Sequence, residues 1–316
     1  MNQLIEVTFA VAALAGSGVL FAGLKVRGSS VLLHHATHGL GFANKRLNRL
    51  AGEWAGIVTL SGAGFDEYRR VHNRHHAHAS FAQRGLDEEA EGLFELGFQP
   101  GRSQGALWRT FWLTQVNPVW HAQQSWARLR SNFFEGPLLR RVAAWAVWGG
   151  AGATATAAGW LPGLLGGVVA PLLLVGNLAS YWELTSRHIW MVTSEHEGHA
   201  RQLDLSHGRL MAPMPPVRWG LKSTCNFIAS VAAKAVARWA VLPADLAFHF
   251  AHHAGWDRRP YGAPPAWADA ALAYSDRLRA HPEIATQIYT SLRAAIGTWF
   301  ARLEKEAPVS AGARLG

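Results

Sequence analysis

Thiol chemistry is all but missing from this chain. Cys225 is the one cysteine in 316 residues, so no intramolecular disulfide and no thiolate cluster can form, and a bound metal must use nitrogen or oxygen ligands. Charge is scarce as well. Only 16% of the residues are charged against 49% hydrophobic, with a mean hydropathy of +0.02, which places the chain between a water-soluble enzyme and a pure bundle of membrane spans. Acidic residues are the scarcer sign, 21 against 30 Lys and Arg, for a formal charge of +9. No nucleic-acid motif accompanies the basic side chains. They suit anionic lipid headgroups, an acidic acyl carrier or an acidic electron donor better than nucleic acid.

The uncharged runs are long. Residues 4–24 carry Glu6 as their single charge and are enough for a helix to cross a hydrocarbon core of about 30 Å. The run starts MNQ and is followed by Lys25 and Arg27, which is not the charge pattern of a cleaved signal peptide, so a retained span is expected. Val142 to Trp182 is apolar too, and Leu161-Pro162-Gly163 splits it into two arms, 142–160 and 164–182, which predicts a helical hairpin. Neither arm shows the polar stripe expected of a core helix in a soluble protein. Two further stretches, about 47–65 and 217–242, are apolar but interrupted by Arg49 and Glu53, and by Lys222, Lys234 and Arg238; they are predicted to lie in the membrane interface. Lys25, Arg27, Arg140, Arg141 and Arg187 flank the spans on the side that carries the histidines, which predicts a cytoplasmic location for that side. The fifteen tryptophans fit interfacial anchoring. The expected architecture is one all-α, integral-membrane helical bundle over residues 1–306, with interfacial helices, a cytoplasmic histidine-rich cap and a disordered tail at 307–316.

Histidine is the residue in surplus, with sixteen copies. In His34-His35-Ala36-Thr37-His38 the i and i+4 imidazoles, His34 and His38, share one helical face while His35 points elsewhere. His72-Asn73-Arg74-His75-His76 places i, i+3 and i+4 on one face, and the same HxxHH spacing returns as His249, His252 and His253. A lone helical histidine is more often a hydrogen-bonded polar residue than a ligand. Three such groups, each beside a hydrophobic segment, are not explained that way. One first-row ion takes at most about six ligands, so eight imidazoles imply two metals. Zinc closes with about four ligands or with three and water, so a roomy histidine-dominated pair points toward iron and dioxygen. Carboxylates are scarce at these clusters, unlike the Glu-rich di-iron bundles built on Glu-x-x-His helices.

HxxxH, HxxHH and HxxHH in this order, with an apolar hairpin between the second and third, resemble the membrane fatty acid desaturase family. The wording around them agrees, HHATHG followed by LNRLAG and then YRRVHNRHHAH, and the likeness runs over about residues 25–255. The resemblance implies a membrane-embedded helical bundle, two histidine-held irons, O2 as co-substrate and a fatty acyl substrate presented as free acid, CoA ester, carrier-protein ester or lipid. It also implies a separate electron donor such as ferredoxin with its reductase, since no haem-binding carrier domain is fused. In that family a further histidine follows the hairpin. Ser194-Glu195-His196 resembles that element, so the role is carried to His196, with Glu195 beside it and with His188 and His199 as competitors. Asp245 lies where many relatives carry Asn; it orients a ligand from behind or caps a helix after Pro243. Only 33 residues precede His34, so one span is expected there in place of the usual N-terminal pair. His78, His121, His207 and His281 are expected to be surface or hydrogen-bonding residues.

The expected reaction is oxygen-dependent attack on an unactivated C–H bond of an acyl chain. Desaturation leads, with hydroxylation and oxidative decarboxylation to a terminal alkene as alternatives that the ligand set does not separate. A non-catalytic membrane metal-binding or transport protein is the alternative of another class. It would place polar residues along its spans, and the arms offer little beyond Thr154, Thr156 and Asn177.

Overall fold

The computed structural model describes residues 2–77, 79–194, 196–209, 220–243, 246, 249, 253, 289 and 291–307. Described residues are helical or irregular; no strand occurs among them, only isolated bridges pairing Gln83 with Met191 and His188 with Ser206. The chain divides into two compact units, one of Met1–Tyr68, Pro118–Tyr181 and Ala229–Ala244, the other of Arg69–Asn117, Trp182–Ile228 and Asp245–Gly316.

In the first unit α1 (Asn2–Val26) runs through a π-helical stretch, Arg27–Leu33, into α2 (His34–Thr37). Two described helical runs are long and apolar enough to cross a membrane, Val7–Thr37 and Leu161–Arg187. The first carries His34 in its last turn, and His38 is the residue just past it. Val7, Phe9, Val11 and Leu14 on it are all more than half exposed, against the usual direction of burial. The first hairpin arm is helical from α8 (Leu138–Ala144) through π-helical Trp145–Gly149 to α9 (Gly150–Ala157). It ends in a left-handed cap at Gly159 (φ +71°), where the Trp160 amide returns 2.7 Å to the Ala155 carbonyl. Pro162 then sits in the first turn of α10 (Leu161–Leu164), where its missing N–H is harmless. Two π-helical stretches, Leu165–Val169 and Pro171–Val175, lead into α11 (Gly176–Arg187). Lys25 on α1 is 1% exposed, packs against Gly176, and its Nζ has no hydrogen-bond partner among the described residues.

α3 (Lys45–Val58) is capped by Asn44, whose side chain accepts from the Arg46 amide at 2.8 Å. It buries Asn48, Gly52, Ala55 and Gly56 and turns Leu47, Leu50, Trp54 and Val58 outward, so its exposed stripe is the apolar one. Glu53 on this helix accepts from the Phe65 amide (2.8 Å) and from the buried Arg140, whose guanidinium also reaches Asn132 Oδ1 at 2.8 Å. α7 (Pro118–Arg130) completes the unit with the descending part of the hairpin, where Asn177 Nδ2 donates to Ser125 Oγ at 3.4 Å.

The second unit holds most of α4 (Phe65–His75), with α5 (Glu88–Glu95), α6 (Gln104–Val116), the end of α11, α12 (Gly198–Leu205) and α14 (Leu292–Lys305); of α13 (Leu221–Ala240), the part up to Ile228 belongs to the second unit and the rest to the first. Its core is aromatic: Phe94, Phe98, Phe111, Trp190, Trp299 and Phe300 are fully buried, and Trp299 Nε1 donates to the Trp190 carbonyl at 2.6 Å. That bond fixes the backbone two residues beyond His188.

Candidate metal centre

Four histidines of the second unit, His75, His188, His249 and His253, each offer a ring nitrogen within 4.8 Å of the others, and all four side chains are buried. His75 is the last residue of α4, His188 the first after α11, and His249 and His253 are one helical turn apart. Nε2 of His75 stands 3.2 Å from Nε2 of His188, and Nε2 of His253 stands 2.9 Å from Nε2 of His249. Phe81 packs 4.8 Å from the His188 ring and 4.6 Å from the His253 ring, so one side of the cluster is lined by an apolar ring.

The protonation pattern favours a cation. Burial, followed by the charge of neighbouring groups, holds His188 and His253 well below the ordinary histidine range, so both rings stay neutral and keep a lone pair. His75 behaves oppositely: burial alone would lower it, but the Asp87 and Glu89 carboxylates raise it above its usual value. Its Nδ1 lies 2.6 Å from Asp87 Oδ2. Asp87 therefore holds a proton on Nδ1, and Nε2 is the nitrogen that faces the cluster and gives up its own proton when it binds a metal. Asp87 also accepts from the Ala82 amide (2.9 Å) and, as the N-cap of α5, from the Glu89 amide (3.0 Å). These bonds and the His75 charge outweigh burial and hold the Asp87 carboxyl below its normal range. Ala82 takes a left-handed φ of 53°, a cost of about 1 kcal/mol for a residue with a Cβ, next to this site. Four buried, converging imidazoles, two of them held neutral and a third backed by a carboxylate, fit a first-row transition ion.

The other boxes keep their expected local geometry. His34 and His38 lie with ring centroids 4.9 Å apart in the first unit, His34 buried. His72 and His76 lie 4.4 Å apart in the second, with His72 buried and the His76 carbonyl accepting from Gln202 Nε2 at 2.9 Å. Beyond the hairpin, the structure brings His188 rather than His196 to the cluster; the His196 side chain is exposed. His252, Asp245, Glu195, the His199 side chain, His78 and His281 lie outside the described residues, as does the tail at 308–316. His207 is fully buried and donates from Nε2 to the Ser186 carbonyl at 2.6 Å. Asp87 escaped the sequence reading, although Asp-Glu-Glu ahead of an apolar run marks a helix start.

No curated protein and no solved structure matches the chain. A sequence model described as "Fatty acid desaturase" matches residues 9–283, a span that contains every histidine placed above. The order of boxes, the apolar hairpin and the buried imidazole cluster thus meet in one assignment, and the chain belongs to the fatty acid desaturase family.

Proposed function

We propose that the protein is an integral-membrane oxidase that uses two histidine-held irons and O2 to remove hydrogen from an unactivated C–H bond of a fatty acyl chain, most directly to form a double bond. The observation that carries this reading is the buried four-imidazole set of His75, His188, His249 and His253 in a chain of the desaturase family. These residues would hold one iron, with His188 preferred to the exposed His196. His34, His38, His72, His76 and His252 are proposed as the remaining iron ligands on the spacing of their boxes. Iron held there supplies oxygen activation. The chain's own part is to keep His188 and His253 neutral, orient His75 through Asp87, and line one side of the cluster with Phe81 so that water is kept from that side.

The apolar exposure of Val7–Thr37 and of the outward stripe of α3 supports residence in a bilayer, where such surface carries no hydration penalty. Arg27 and Arg141, the two flanking basic residues that are not buried, support a cytoplasmic histidine side, where a separate donor such as ferredoxin delivers electrons. Hydroxylation and oxidative decarboxylation remain alternative outcomes of the same attack.

Chain-deuterated fatty acids fed to expressing cells, with a His75→Ala control, test the proposal. Desaturation loses two deuteriums, hydroxylation loses one and gains oxygen, and decarboxylation shortens the chain by one carbon. Absence of any His75-dependent acyl product across short, medium and long chains, with an active electron donor present, would refute it.

A further inference from the structure

The four clustered histidines come from three separate segments, and something must hold those segments at a fixed spacing. We propose that Arg209 is the positioning residue that sets the distance between His188 and His249. Its guanidinium is among the largest fully buried side chains of the protein, at 1% exposure. One arm, Nη1, donates to the Glu183 carbonyl (3.1 Å) and to Ser186 Oγ (3.1 Å), both in the last turn of α11, whose next residue is His188. The other arm, Nη2, donates 2.7 Å to the carbonyl of Leu246, three residues before His249.

A helix end carries unsatisfied carbonyls and partial negative charge, so a cation placed there is favourable as well as geometrically apt. The neighbouring His207 takes the Ser186 carbonyl, and the Ile189 amide bonds the Leu205 carbonyl at 2.9 Å. The 205–209 segment is therefore a strap across the exit of α11, and Arg209 is its reach to the segment that delivers His249 and His253.

The charge is balanced along a path that leads back to the same site. Glu183 lies 3.4 Å from Arg209 and pairs with Arg187, and Arg187 Nη1 reaches Glu89 at 2.7 Å. Glu89 in turn donates its amide to Asp87, the acceptor of the His75 ring proton. Leu246, Arg209, Glu183, Arg187, Glu89 and Asp87 thus form one buried polar path behind all three segments. Lysine cannot replace arginine in it. An ammonium keeps the charge but lacks the rigid planar fork that bonds in two directions at once.

The inference rests on the metal centre proposed above, and its test separates the two. Purified apo protein is titrated anaerobically with Co(II), whose ligand-field absorption reports coordination, for the wild type, Arg209→Lys and Arg209→Met, alongside thermal melting of each. The expected result is that Arg209→Lys stays folded, binds one of two Co(II) ions about 10- to 100-fold more weakly, and shows altered absorption for that ion alone. Should Arg209→Met fail to fold, the lysine variant still decides the matter. A folded Arg209→Lys with wild-type affinity and spectrum would overturn the positioning role and leave the metal centre standing. A wild-type chain that takes up no Co(II) would refute the centre itself and the inference with it.

Discussion

Replacing Asp87 with Asn changes one oxygen into an NH2 group at the point where the structure allows only an acceptor. Asp87 Oδ2 receives two N–H groups, His75 Nδ1 at 2.6 Å and the Ala82 amide at 2.9 Å, while Oδ1 receives the Glu89 amide. Asn can keep the Glu89 bond, and its amide nitrogen then faces two donors. The Ala82 amide then goes unpaired in a buried place, and His75 either loses its partner too or turns Nδ1 into an acceptor and carries its proton on Nε2, the atom aimed at the cluster. A hydrogen bond to a charged group is worth about 1.5–3 kcal/mol and a buried unpaired donor costs about 1–3 kcal/mol, so the apo protein should lose roughly 3 kcal/mol. Metal affinity should fall by about 10- to 100-fold, the usual effect of losing a ligand's partner, while His75→Ala removes the ligand itself. Anaerobic Fe(II) titration with melting of the apo form measures both quantities. An Asp87→Asn variant that binds iron as tightly as the wild type would refute the assignment of the His75 tautomer and of Asp87 as its anchor.

Two further outcomes are expected. His207 is pushed down to about 3 by burial, then by the charge of Arg209, against a usual value of 6.5. Because its folded value is depressed, protonation favours the unfolded chain; its contribution is complete above pH 6.5 and is lost as pH falls from there toward 3, about 2 kcal/mol of it by pH 5. His207→Gln, which keeps a donor for the Ser186 carbonyl, should therefore melt with a flatter pH dependence between 7 and 5, and an unchanged dependence would contradict the burial argument. Lys25→Met should raise the melting temperature, since a buried Nζ without a hydrogen bond among the described residues costs at least about 1 kcal/mol, roughly 2–4 °C for a chain of this size. A lower melting temperature in detergent would show that the ammonium is stabilised after all.

Spacing made the histidine boxes legible, because i, i+3 and i+4 contacts are local consequences of helix geometry. The break between the two apolar arms was equally open to reading, since Pro and Gly punctuate apolar runs regardless of tertiary context, and of the two arms the second lies in a described run long and apolar enough to cross a membrane, Leu161–Arg187. His188 was harder. It follows α11 with no second histidine at helical spacing, so nothing in its local sequence marks it out from His196 or His199; the bonds from the strap at 205–209 to the backbone around it are long-range. Charges proved ambiguous for a similar reason. Arg140 and Arg187, counted along the sequence as flanking charges, are buried partners of Glu53, Glu183 and Glu89, pairings that join residues as much as 98 positions apart. The π-helical turns at Arg27–Leu33 and Trp145–Gly149 left no pattern to read, as their extra residue per turn depends on packing.

The distance along the chain between the cluster's members has a consequence for biosynthesis. His75 and His188 are 113 residues apart, and His249 and His253 follow later still. During translation the earlier boxes emerge as isolated helical turns, able to bind a cation only loosely. Closing a loop of that length costs about 4 kcal/mol of chain entropy, which a shared ion can offset only after the last ligands have arrived. For the proposed centre, metal loading would then be an event of the finished chain, and the ion would act as a late fastener whose supply determines how much polypeptide matures.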